Sequence, residues 1–119
     1  MTVITWGVMV GRSEAAAEKA DIDAEIIDLR TLVPWDHEMV TASVNKTSRC
    51  LIVHEDNRTA GFGAEVAAIV ARDSFMYLDA PVERLCRLDI PVPYHPKLLD
   101  AALPGIDDIA TKMKELVAF

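Results

Sequence analysis

The run Cys50-Leu51-Ile52-Val53 leads straight into His54-Glu55-Asp56, and no other stretch of the 119 residues constrains the fold as much. Four consecutive apolar residues read as a strand buried on both faces, because a half-exposed strand alternates apolar and polar positions. Thr2-Val3-Ile4-Thr5-Trp6, closed by Gly7, reads as an earlier strand, Glu25-Ile26-Ile27-Asp28-Leu29-Arg30 as a second, and Val82 to Leu88 as the last. Between them lie helical mixtures: Val8 to Ala20, then Asp36 as N-cap of a helix to about Thr47, then Ala64 to about Phe75 with Val66, Ile69 and Val70 on one face. Pro91-Val92-Pro93-Tyr94-His95-Pro96 cannot continue a sheet interior. A short helix or turn fits Lys97 to Leu103, and a final helix fits Asp107 to Val117, whose first-turn acids suit the helix dipole. Strand and helix alternate throughout. The pattern predicts a single α/β domain over residues 1–119, a parallel sheet with helices on both faces.

Composition removes several function classes. Twelve Lys and Arg against nineteen Asp and Glu give a net charge of −7, which argues against a nucleic-acid partner, since phosphate binding draws on clustered cations. With 51% apolar residues the chain is not intrinsically disordered. No apolar run approaches the roughly 20 residues of a membrane span, and no basic leader precedes an apolar segment. Cys50 and Cys86 sit in apolar segments without metal-type spacing and read as buried thiols of a reducing compartment. The expectation is a small, acidic, cytoplasmic domain.

His54-Glu55-Asp56 falls at the carboxyl end of the best strand, the edge where open α/β sheets usually bind ligands. One reading makes His54 a general base or metal ligand beside two carboxylates. Adjacent strand residues point to opposite faces, however, so the favoured reading is structural or interfacial. Gly61-Phe62-Gly63 could offer helix-terminal N–H groups to an anion, but it lacks the dinucleotide and P-loop spacings. Its glycines read better as a tight turn that lets a helix pack closely. No nucleophile elbow, Ser-His-Asp order or Cys-His pair stands out. The chain looks like part of an enzyme without its active site: no catalytic, cofactor-binding or metal residue is assigned.

Several stretches in order resemble the C-terminal, transketolase-like domain of the thiamine-diphosphate-dependent 2-oxo acid dehydrogenase decarboxylating component, as found in its β subunit. They are Ile27-Asp28-Leu29-Arg30-Thr31-Leu32-Val33-Pro34-Trp35-Asp36, Leu51-Ile52-Val53-His54-Glu55 and Thr59-Ala60-Gly61-Phe62-Gly63-Ala64-Glu65-Val66-Ala67. Leu78-Asp79-Ala80-Pro81-Val82, Pro91-Val92-Pro93-Tyr94 and Leu103-Pro104-Gly105-Ile106-Asp107-Asp108-Ile109 complete the set. The resemblance implies a three-layer α/β/α sheet of four parallel strands in the order second, first, third, fourth. The family's antiparallel edge strand would lie ahead of Thr2, so the chain reads as a piece of a longer β subunit or fused α/β chain, with the second strand's edge bare and prone to self-association.

The resemblance also implies partners and cofactors. Thiamine diphosphate and magnesium would be bound by other domains, and the reaction would be decarboxylation of pyruvate or a branched-chain 2-oxo acid with acyl transfer to a lipoyl group. His54, Glu55, Arg58, Thr59, Gly61, Phe62 and Gly63 become candidates for the interface with a second copy, the other domains or an α subunit. Asp79 and the terminal carboxylate of Phe119 become candidates for docking the acyltransferase's subunit-binding domain, a basic partner that the acidic charge would steer. Asp79 could equally be a turn residue capping its own backbone. Two departures bear on the loop: Ala60 stands where the family commonly has Gly, and Asp56-Asn57 where it has Ala-Pro. A different class remains open, a free-standing acidic module recognising a basic protein or small anion.

Overall fold

A computed structural model describes residues 1–119. Its elements run β1 (Thr2–Thr5), α1 (Met9–Ala20), β2 (Glu25–Asp28), α2 (His37–Thr47), β3 (Cys50–Asn57), α3 (Phe62–Asp73), β4 (Glu83–Arg87), α4 (Pro96–Ala102) and α5 (Ile106–Ala118). A single 3-10 turn, Phe75–Tyr77, follows α3. The four strands form one sheet in the order β2-β1-β3-β4, and all three pairings are parallel. The expected strand order and fold class are therefore observed.

The continuous apolar run in β3 is explained by what covers it. Leu51 and Val53 face one core with Val3 of β1, Met9 of α1 and Ile109, Met113 and Leu116 of α5. Cys50 and Ile52 face the other, with Ile4 of β1, Val40 and Val44 of α2, and Val66 and Val70 of α3. Alternate residues thus serve opposite layers, and none can be polar without burying an unpaired group. In α5 the buried positions Ile109, Met113 and Leu116 recur at helical spacing, so the amphipathic pattern alone directs the last helix onto the sheet.

Hydroxyls and charges seal the amino edge of the sheet. Thr2 Oγ1 lies 2.7 Å from both Ser43 Oγ and Thr47 Oγ1, and Ser43 donates to Glu25 Oε2 at 2.5 Å. Lys46 also donates to Glu25. These bonds, the lysine's first, hold the Glu25 carboxyl below the ordinary glutamate range and tie α2 to β1 and to the edge strand β2.

The structure departs from the sequence reading in four places. The second strand stops at Asp28, not Arg30, because Arg30 adopts φ 53°, a left-handed conformation no strand accommodates. The third continues to Asn57, with Glu55 and Asp56 inserted between the His54–Cys86 and Asn57–Arg87 pairs as a bulge. Helix α3 begins at Phe62, two residues earlier than expected. Cys86 is only half-buried because β4 is an edge strand, whereas Cys50 is fully buried and its thiol is pushed up to about 12 by burial. No helix is long and apolar enough to cross a membrane.

The two-sided core gives a direct expectation. Met113→Ala removes a fully buried side chain and should cost about 2–5 kcal/mol in urea denaturation. Exposed Lys114→Ala on the same helix should change stability by less than about 0.5 kcal/mol.

Candidate functional site

The loop joining β3 to α3 brings the seven predicted interface residues onto the carboxyl edge of the sheet, but in two layers. Glu55, Arg58 and Thr59 are exposed, Phe62 is half-buried, and His54, Gly61 and Gly63 are buried. His54 is the inner layer's centre. Its ring stacks on Trp6 with centroids 5.1 Å apart and planes 7° from parallel, while Phe62 meets Trp6 edge-on at 6.0 Å. A Cβ on Gly63 would collide with His54 Nε2, and one on Gly61 would collide with the Asn57 carbonyl. The two glycines therefore let the first turn of α3 close over the imidazole. That is the tight-packing role read from sequence.

A base or metal-ligand role for His54 finds no geometry. The ring is fully buried, neither nitrogen has a hydrogen-bond partner, and Glu55 turns outward towards the Gly7 turn. Burial pushes its pKa below the ordinary histidine range; Asp56 opposes that effect and Arg84 adds to it. No three His, Cys, Asp or Glu side chains gather closely enough to hold a metal ion.

The outer layer is held by residues that sequence reasoning passed over. Asp89 accepts from Thr59 N at 3.0 Å and from Thr59 Oγ1 at 2.6 Å, and these bonds hold its carboxyl below the usual range. Arg84 donates to the Arg58 carbonyl at 2.9 Å. Arg87, 7% exposed, donates to the Glu55 carbonyl at 3.2 Å, to the Ile90 carbonyl at 2.6 Å and to Asn57 Oδ1. It caps the bulge and pins the segment after β4 against it. An arginine directly after the half-buried Cys86 was the available signal, but its inward direction depends on the bulge.

Between Thr59 and the Asp89–Val92 segment lies an open cleft of about 610 Å³. The same edge carries Val33, 82% exposed, and Tyr94, fully exposed, with Val92 and Leu98 beside them in sequence. Val92 and Tyr94 lie on a proline-bearing segment whose fixed φ keeps it out of the sheet.

The two predicted docking residues sit at the opposite, amino edge. The Asp79 backbone N–H donates to the Ser48 carbonyl at 2.9 Å, and its carboxylate lies 3.7 Å from the Arg49 guanidinium. Arg49 Nε in turn donates to the Leu116 carbonyl at 2.8 Å, linking Asp79 to the end of α5. Asp79 thus faces Arg49 and makes no cap to its own turn. Phe119 is exposed beside a small groove lined by Pro81, Glu83, Lys112, Glu115 and Leu116.

The profile of the family described as "Transketolase, C-terminal domain" matches residues 1–109. The "2-oxoisovalerate dehydrogenase subunit beta" of Pseudomonas aeruginosa is 51% identical over 94 residues, covering 79% of this chain and 27% of that protein. The mitochondrial "Pyruvate dehydrogenase E1 component subunit beta-1" of Arabidopsis thaliana is 45% identical over 117 residues, covering 96% and 32%. The "Pyruvate dehydrogenase E1 component subunit beta" of Rickettsia conorii is 40% identical, covering 98% and 36%. The chain spans about a third of the length of these relatives. Among solved structures, "Split gene transketolase, inactive beta4 tetramer" superposes with a TM-score of 0.75 at 22% identity over 98% of this chain and 38% of its own, a likeness of fold.

Two substitutions test the loop. Gly63→Ala should destabilise by about 1–3 kcal/mol, because the methyl meets a packed imidazole. Ala60→Gly should stabilise by ~0.5–1 kcal/mol, because Ala60 sits at φ 61° where a Cβ is strained. Chemical denaturation of both variants checks the pair of opposite signs.

Proposed function

The chain belongs to the transketolase C-terminal domain family, and from that premise we propose that it is the interface and docking domain of a thiamine-diphosphate-dependent 2-oxo acid dehydrogenase. The observation that carries this reading is the 51% identity to a 2-oxoisovalerate dehydrogenase β subunit, joined to two separate polar surfaces at opposite edges of the sheet. The full enzyme would decarboxylate a 2-oxo acid, pyruvate or a branched-chain analogue, and pass the acyl group to a lipoyl carrier.

In this reading the carboxyl edge meets the rest of the enzyme. Arg58, Thr59, Glu55 and Phe62, backed by Tyr94 and Val33, would pack against the other domains, an α subunit or a second copy of the domain. His54, Gly61 and Gly63 would shape that surface from beneath. The bare edge of β2 offers a further route to a second copy.

Thiamine diphosphate and its magnesium would be held elsewhere. A diphosphate–magnesium pair needs converging hard oxygen ligands, and no acidic cluster of that kind exists in this chain. The residues here do not fit the cofactor, so no step of the reaction is routed through them.

The amino edge would dock the acyltransferase's subunit-binding domain. A basic side chain of that partner could compete with Arg49 for the exposed Asp79 carboxylate, and another could reach the terminal carboxylate of Phe119. Such rim charges act mainly on association rate and its salt dependence. Asp79→Asn in the full-length enzyme should weaken acyltransferase binding roughly fivefold at low salt, about 1 kcal/mol, while leaving 2-oxo acid decarboxylation intact. Unchanged binding would remove Asp79 from the docking surface, and absent decarboxylase activity with pyruvate and branched-chain 2-oxo acids would overturn the enzyme assignment.

A further inference from the structure

The slot around His54 is built for one protonation state. The imidazole is fully buried, and neither Nδ1 nor Nε2 has a partner. Trp6 covers one face of the ring at 5.1 Å, and its edge lies under Gly61 and Gly63. Gly61 is the N-cap of α3 and supplies no side-chain acceptor, and with Gly63 it sets the N-terminal end of the helix beside the ring. That end of a helix repels a cation. A neutral imidazole leaves one donor and one acceptor unpaired in this slot, whereas an imidazolium would leave two charged donors there.

The charges around the slot do not rescue the cation. On its own strand, Asp56 favours the charged ring, but it is exposed. Glu55 is also exposed and turns towards Gly7. From β4, Arg84 opposes the charged ring, and Cys86, which faces His54 in the ladder, has its thiol pushed up by burial. The β1–α1 turn and the start of α3 contribute Trp6, Gly61, Phe62 and Gly63, none of them charged, and Glu65 on α3 is exposed.

We propose that His54 is a proton-operated latch on the entry turn of α3: the neutral ring holds Trp6 and the Gly61–Gly63 turn together, and the protonated ring leaves the slot and frees them. The loop from Asn57 to Ala60, bonded to the rest of the molecule through Asp89, Arg84 and Arg87, would then lose its inner support. This inference does not depend on the loop being an interface, since every group in it belongs to the chain. The sign follows from proton linkage. The folded state disfavours the charged ring, so the latch contributes fully above the unfolded histidine range near pH ~6.5 and weakens as pH falls below it.

The test is amide hydrogen exchange of the 119-residue chain between about pH 7.5 and 5, corrected for intrinsic exchange and paired with NMR titration of the imidazole resonances. The reporting amides are Ala64 to Val66, beginning with the Ala64 N–H that donates to the Gly61 carbonyl at 2.9 Å. Their opening should rise severalfold towards the acid end and should track the His54 resonance. His54→Gln should remove the rise, while His37→Gln with His95→Gln should leave it intact. If His54→Gln fails to fold, the wild-type titration with the double variant as control still decides. Opening that is flat with pH would overturn the latch, as would a rise lost with His37 and His95, or His54 titrating while the turn stays protected.

Discussion

Two-sided burial of β1 and β3 is the constraint on which the rest of this molecule depends. Every residue of β1 is buried, and Cys50 to His54 of β3 are too, so the two central strands have no solvent face to relax into. Parallel strands of this kind need a crossover between each pair, and the crossover helices α1, α2 and α3 cover the faces together with α5. Burying one Val, Leu or Ile side chain contributes about 1.5–3 kcal/mol, so the stacked central positions are where a substitution costs most.

Because the centre is rigid, the two edges can specialise. At the carboxyl edge the ladder breaks into a bulge, and a buried arginine closes the gap by bonding to carbonyls and to an amide. A guanidinium suits this position because its fork of donors can serve several acceptors at once. At the amino edge, Arg49 plays a lighter part, bridging Asp79 to the last turn of α5. Both edges therefore use an arginine to join segments distant in sequence. One is buried and structural, and the other is partly open to solvent.

The glycine turn shows how a single contact couples fold to site. Gly63 is required by the collision its Cβ would make with His54, and His54 is buried because that glycine permits it. The same closeness leaves the ring's nitrogens without partners. The cost of that orphaned pair is offset by the stacking on Trp6 and by the helix packing that the turn allows.

Much of this was legible in the residues themselves. Apolar and alternating runs located all four strands, composition, an N-cap, one apolar face and an acidic first turn located α1, α2, α3 and α5 in that order, and ordered family-like segments identified the domain, because burial, capping and periodicity are local signals. The turn role of Gly61 and Gly63 was legible for the same reason. What the residues alone left open was direction and partnership. The extension of β3 through a bulge, the inward turn of Arg87, the pairing of Asp89 with Thr59 and the stacking of His54 on Trp6 all join residues at least thirty positions apart. Sequence by itself determined which residues must leave water. Only the tertiary structure decided which of them meet, because contacts across a sheet depend on register, and register is a property of the whole ladder.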